Sequence, residues 1–115
     1  MNDKRHSARL SKYIPVMIED SKVHMLFRAN VGDISYEGMR VVASQFLPKG
    51  STYTFSLKFT STLVVKGEVR WIASTGRDTF RIGIHFIEMT PEVRETIQGV
   101  VDAEARKKVP QQRVI

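Results

Sequence analysis

The sequence predicts an all-β fold, a six-stranded antiparallel β-barrel followed by one C-terminal α-helix. Two observations carry the prediction. Between Tyr13 and Ile87 apolar residues recur at every second position in roughly six short runs separated by turn residues, and from Val93 the period becomes helical. A third observation is size: 115 residues, of which 42% are hydrophobic, suffice for one domain with a core and no staples.

The elements follow in order. Residues 2–12 carry Asp3, Lys4, Arg5, His6, Arg9 and Lys12, with Leu10 the only large apolar residue, so residues 1–12 are expected to form a flexible arm. The barrel is expected over 13–89. In its first strand Ile14, Val16 and Ile18 alternate with Tyr13, Pro15 and Met17, and Pro15, which lacks a ladder donor, places that strand at an edge or seam. After a turn at Glu19–Lys22, Val23, Met25, Phe27, Ala29 and Val31 share one face of the second strand. Gly32 and Gly38 bracket an interruption, and strand character resumes over 39–43. Pro48-Lys49-Gly50 turns the chain into a strand with Tyr53, Phe55, Leu57 and Phe59 on one face. The strand from Leu63 to Ala73 sets Val65, Gly67, Val69 and Trp71 against Lys66, Glu68 and Arg70. Ser74–Asp78 closes a hairpin onto Phe80, Ile82, Ile84 and Phe86. Thr90-Pro91 is a helix start, a hydroxyl cap followed by proline at the first helical position. Val93, Ile97, Val100, Val101 and Ala105 then define one helical face over 91–108, and Pro110 is expected to end the helix.

Composition narrows the function. Lys and Arg outnumber Asp and Glu by 18 to 12, a net charge of +6, which suits an anionic partner or simply solubility. The chain has no cysteine, so disulfides, thiolate nucleophiles and cysteine-ligated metals are excluded, in keeping with a reducing cytoplasm. The polar N-terminus does not read as a signal peptide, and no apolar run is long enough to span a membrane. His6, His24 and His85 are scattered without metal-ligand spacing, and neither a phosphate-binding glycine loop nor a nucleophile elbow is present. These patterns give no reason to expect an enzyme or a cofactor.

Two patterns stand out. Arg5 and Arg9 lie four apart in the arm, and their planar forks suit phosphate oxygens and the O6/N7 edge of guanine. By themselves they equally describe a solvated basic tail. Asp33-Ile34-Ser35-Tyr36-Glu37-Gly38 sits where a strand ends, turns and resumes. The Asp33 carboxylate matches the N–H donors of guanine, Ser35 is expected to share its face by alternation, and Gly38 admits a positive φ or a close backbone approach. An Asx or Ser turn bonded to backbone amides explains the same residues equally well.

Both motifs in this order, RxxxR and then DxSxxG, resemble the PilZ domain family. Gly67-Glu68-Val69-Arg70-Trp71, Phe80-Arg81-Ile82-Gly83-Ile84-His85-Phe86 and Thr90-Pro91-Glu92 look like its late strands and helix start, so the similarity spans Arg5 to about Arg106. The resemblance implies a six-stranded barrel with a C-terminal helix and cyclic diguanylate (cyclic di-GMP) as ligand. It implies that Arg5 and Arg9 contact phosphates and guanine faces, that Asp33 and Ser35 hydrogen-bond a guanine, and that Gly38 keeps the turn open. Trp71 and Arg81 would line the same face, with core packing and a solvated strand face as their respective alternatives. Lys4 stands where many members carry a further arginine; it keeps the charge and lacks the fork. A monomeric or dimeric cytoplasmic receptor is implied, in which the ligand orders the arm and a protein partner is engaged in trans. The nearest alternative is an adaptor of the same fold that binds protein without nucleotide. Next comes a barrel stacking single-stranded nucleic acid on Tyr53, Phe55 and Phe59.

Overall fold

The computed structural model describes residues 10–59 and 62–113. Six strands, β1 (Leu10–Asp20), β2 (Met25–Ile34), β3 (Gly38–Ala43), β4 (Thr52–Lys58), β5 (Thr62–Gly76) and β6 (Thr79–Ile87), precede one helix, α1 (Pro91–Arg113). They form a closed barrel in the order β1-β2-β3-β6-β5-β4, antiparallel throughout. The closing seam between β1 and β4 runs from Val16 to Glu19, and Pro15 lies just outside it. There its missing N–H breaks no pairing across the seam.

Alternation sends Val16, Ile18, Phe55, Leu57, Val69 and Ile82 into the barrel, where each is buried. Helix α1 closes the core by laying Ile97 and Val101 against it, with Val93 half-buried beside them. The helix begins as its sequence dictates: Thr90 Oγ1 accepts the Val93 N–H at 3.1 Å.

The observed elements differ from expectation at several points. Strand β1 starts at Leu10 rather than Tyr13, because backbone pairing with Ile34 and Asp33 provides order that a polar sequence does not advertise. Val23, Met25 and Leu26 are exposed, so the expected inward face of β2 is buried only further along. The cause is geometric: β3 covers β2 only from Ala29 to Ile34, and the β1–β2 tip projects beyond it. The β5–β6 turn shrinks to Arg77-Asp78, with Asp78 in the left-handed region at φ 58° that short polar residues tolerate. Helix α1 continues through Pro110 to Arg113. A proline in the final turns removes a single N–H bond, which a helix end can lose without stopping there.

Two β-bulges re-aim the surface. Val31 pairs with Val41 and Asp33 with Arg40, so Gly32 is an extra residue in β2. The parity flips there, turning Ile34 into the core and Asp33 outward. In β5, Val69 pairs with Ile84 and Trp71 with Gly83, which makes Arg70 the extra residue. Trp71 therefore leaves the inward face it was expected to share with Val65, Gly67 and Val69. It lies on the outside, 42% exposed, and core packing is not its role.

Candidate functional site

The two bulges build one row of outward residues across four strands. Asp33 of β2 faces Arg40 of β3, Arg40 faces Gly83 of β6, and Gly83 faces Trp71 of β5. Nε of Arg40 donates to Asp33 Oδ2 at 2.9 Å and Oδ1 at 3.2 Å, while Nη2 lies 2.7 Å from Oδ2. This is a forked, charge-assisted pair. At the other end the indole of Trp71 lies over the bare Cα of Gly83, the space where a side chain's Cβ would stand. Between them opens a cleft of about 510 Å³ whose walls include Ser35, Gly38, Arg40, Arg70, Trp71 and His85. That volume lies in the range of small-ligand sites. Arg40 and Arg70 set two guanidinium groups in the wall, the first paired with Asp33 and the second 3.3 Å from Glu68 Oε1, with Glu37 beside them, and Trp71 supplies an aromatic face.

The wall's upper edge is the turn from Ser35 to Gly38. The Ser35 N–H donates to the Gly38 carbonyl at 2.9 Å, and the Ser35 hydroxyl points to the same oxygen at 3.4 Å. The Phe86 N–H donates to the Glu37 carbonyl at 2.9 Å, tying the turn to β6. Gly38 has ordinary φ; what excludes a side chain is the Ile84 carbonyl, which fills the place of a Cβ. Of the two reasons its sequence position offered, a positive φ or a close backbone approach, the second is the one found, between β3 and β6. From the same turn the Tyr36 hydroxyl donates to Asp102 Oδ1 of α1 at 2.8 Å. That bond, helped by burial and the charge of Asp102, raises the Tyr36 pKa above its ordinary value of 10.0.

The residues singled out from sequence are distributed as follows. Ser35, Gly38 and Trp71 line one cleft. Ser35 does so from the turn, since β2 ends at Ile34 and strand alternation with Asp33 does not extend to it. Asp33 stands behind Arg40, its side chain 12% exposed against 43% for Arg40. Arg81 is exposed on the outer face of β6, opposite Val42 and Ala73, and is not part of the cleft wall. Arg5 and Arg9 lie outside the described residues. The described residues begin at Leu10, and the neighbouring Ser11 is paired with Asp33, at one end of the Asp33–Trp71 row.

Arg40, Arg70 and Gly83 were not foreseen. Gly83 carried a signal, an isolated glycine inside an apolar strand, which marks a close approach. Arg40 and Arg70 carried none, because strand register sets Arg40 opposite Asp33 and the bulge in β5 sets Arg70 in the cleft wall with Trp71. Tyr53 and Phe55 are buried in the core and offer no face to a base. Among the described residues no group of three or more His, Cys, Asp or Glu could hold a metal, and no helix is long and apolar enough to cross a membrane.

A family model described as the PilZ domain matches residues 3–103. No curated protein matches the sequence. Among solved structures, the chain is similar to the PilZ domain of YcgR from Escherichia coli with c-di-GMP (TM-score 0.72, 14% identity, covering 97% of this chain and 100% of that one). It is similar to YcgR from the same organism in complex with c-di-GMP (TM-score 0.74, 19% identity, 96% and 51%). It is also similar to the Bacillus subtilis inhibitor of motility, MotI/DgrA (TM-score 0.73, 16% identity, 93% and 53%). The chain spans about half the length of the latter two. At these identities the likeness is one of fold: a closed six-stranded barrel with a C-terminal helix.

Proposed function

We propose, since this chain belongs to the PilZ domain family, that it is a cytoplasmic receptor for cyclic di-GMP that binds the dinucleotide unchanged and signals to a protein partner. The observation that carries the reading is the Asp33–Arg40–Gly83–Trp71 row, an exposed indole and a salt-bridged guanidinium, with Ser11, near the start of the described residues, paired with Asp33 at one end. Two solved relatives of this fold, YcgR and its PilZ domain, carry c-di-GMP.

On this reading a guanine stacks on Trp71, a contact worth about 1–3 kcal/mol. Asp33 and Ser35 hydrogen-bond its edge. Arg5 and Arg9 fold over the ligand from the arm and meet its phosphates with charge-assisted bonds. Arg81, on the same outer face beyond Gly83, meets the ligand's far side. The arm loses conformational freedom on binding, and the ordered arm is a new surface for the partner. Control of motility, biofilm or exopolysaccharide formation is the output we propose for that partner. A partner-only adaptor of the same fold would need neither the arm's forks nor an aromatic face beside a cation.

Calorimetric titration with cyclic di-GMP, GTP and a short single-stranded oligonucleotide tests the reading. Saturable micromolar or tighter binding is expected for cyclic di-GMP alone, lost in Asp33→Ala without unfolding. Folded protein that ignores cyclic di-GMP at micromolar concentration overturns it in favour of the adaptor.

A further inference from the structure

We infer that Arg40 is a specificity-determining residue: held in place by Asp33, it reads the O6 carbonyl of the bound guanine and so separates guanine from adenine. The inference rests on the receptor reading and adds a residue to it.

The geometry starts from the pair itself. Arg40 and Asp33 stand directly opposite on adjacent strands, both outward because of the Gly32 bulge. Nε and Nη2 of Arg40 take the carboxylate. Nη1 and the remaining Nη2 hydrogen are donors that this pairing does not use, and a guanidinium has no acceptor to offer. The O6 carbonyl of guanine, an acceptor, is the complement of these donors. Adenine places an amino group there instead. Donor then meets donor in the cleft wall and neither is satisfied, which is the strong form of discrimination.

Burial says which member of the pair meets the ligand first. Arg40 lines the cleft together with Trp71 and Gly83, and its side chain is 43% exposed, whereas Asp33 lies behind it at 12%. A base stacked on Trp71 lies over Gly83, whose register partner on the far side is Arg40. Asp33 fixes the fork's position, so that the donors are aimed before the ligand arrives.

The test compares cyclic di-GMP with cyclic di-AMP, by competition against a fluorescent cyclic di-GMP analogue, for the wild-type chain, Arg40→Met and Arg40→Lys. Thermal melting confirms that each variant folds. The wild type should prefer cyclic di-GMP strongly. Arg40→Met should weaken cyclic di-GMP by about tenfold or more while leaving cyclic di-AMP unchanged, so that the preference collapses. Arg40→Lys, which retains the charge and loses the fork, should give up part of the preference, and serves alone if Arg40→Met does not fold. Equal losses for both dinucleotides would mean that Arg40 contributes charge only, and an unchanged preference would mean that it supports the fold only; either overturns the inference. A wild type that binds no cyclic di-GMP would overturn the receptor reading instead.

Discussion

Replacing Gly83 by alanine tests the platform that the Arg70 bulge creates. A Cβ at this position would stand 2.7 Å from Trp71 Cδ1, with Nε1 and Cε2 nearer still. The ring must retreat by about 1 Å or more to recover ordinary carbon contact. Trp71 is already 42% exposed, so it can swing outward, and the stability cost belongs at the low end for overpacking, about 1 kcal/mol. For a chain of this length that lowers the Tm by about 4 °C. Binding should suffer more than folding. A displaced indole forfeits base stacking worth about 1–3 kcal/mol, which weakens cyclic di-GMP at least about fivefold. Trp71 is the only tryptophan in the chain, so its fluorescence reports on this site alone. The variant should show a red-shifted emission from a wetter ring and a smaller change on ligand addition. Unchanged emission together with unchanged affinity would refute the packing of the indole on Gly83 and the stacking role built on it.

Gly38→Ala should behave differently, because its Cβ meets the backbone carbonyl of Ile84, which cannot swing aside. A loss of at least about 2 kcal/mol, or about 8 °C in Tm, is expected from thermal denaturation, with β3 and β6 losing amide-exchange protection. Tyr36→Phe removes the bond to Asp102 and should cost about 0.5–1.5 kcal/mol by denaturant unfolding at neutral pH. Because folding raises the Tyr36 pKa, this contribution is complete below the ordinary tyrosine pKa and disappears as pH rises through the folded value. The stability gap between wild type and Tyr36→Phe should therefore close only in strong alkali, and a gap that closes near neutrality would contradict the assignment. Arg5→Ala and Arg9→Ala should each weaken cyclic di-GMP by roughly 1.5–3 kcal/mol, tenfold or more by calorimetry, with the barrel's Tm unchanged.

Much of the barrel was legible in the chain because a half-buried strand writes its environment into alternate residues. Tyr53, Phe55 and Leu57 announced an inward face, and Thr90-Pro91 announced the helix, through local chemistry that needs no partner strand. The same logic failed at Trp71 and at Val23–Leu26. Alternation extrapolates a face along a strand, whereas a bulge or the end of a neighbouring strand cancels it, and neither event is local. The candidate site was legible only as separate pieces. Asp33, Ser35 and Gly38 stood out as a motif, yet the turn after Ile34 and the Ile84 carbonyl gave Ser35 and Gly38 different geometric reasons for being there.

The chain's own order of residues determined the class of fold, the position of its helix and the segments that could carry a ligand, since these follow from periodicity, turn chemistry and charge along a single strand. Which side chains stand together was decided only by pairing between strands. A one-residue insertion at Gly32 and another at Arg70 turn Asp33 and Trp71 to the outer surface, and register then sets Arg40 and Gly83 between them. Side-chain direction in a sheet has a period of two, so one extra residue reverses every position beyond it. That reversal, invisible in composition or spacing, is what assembles the cleft.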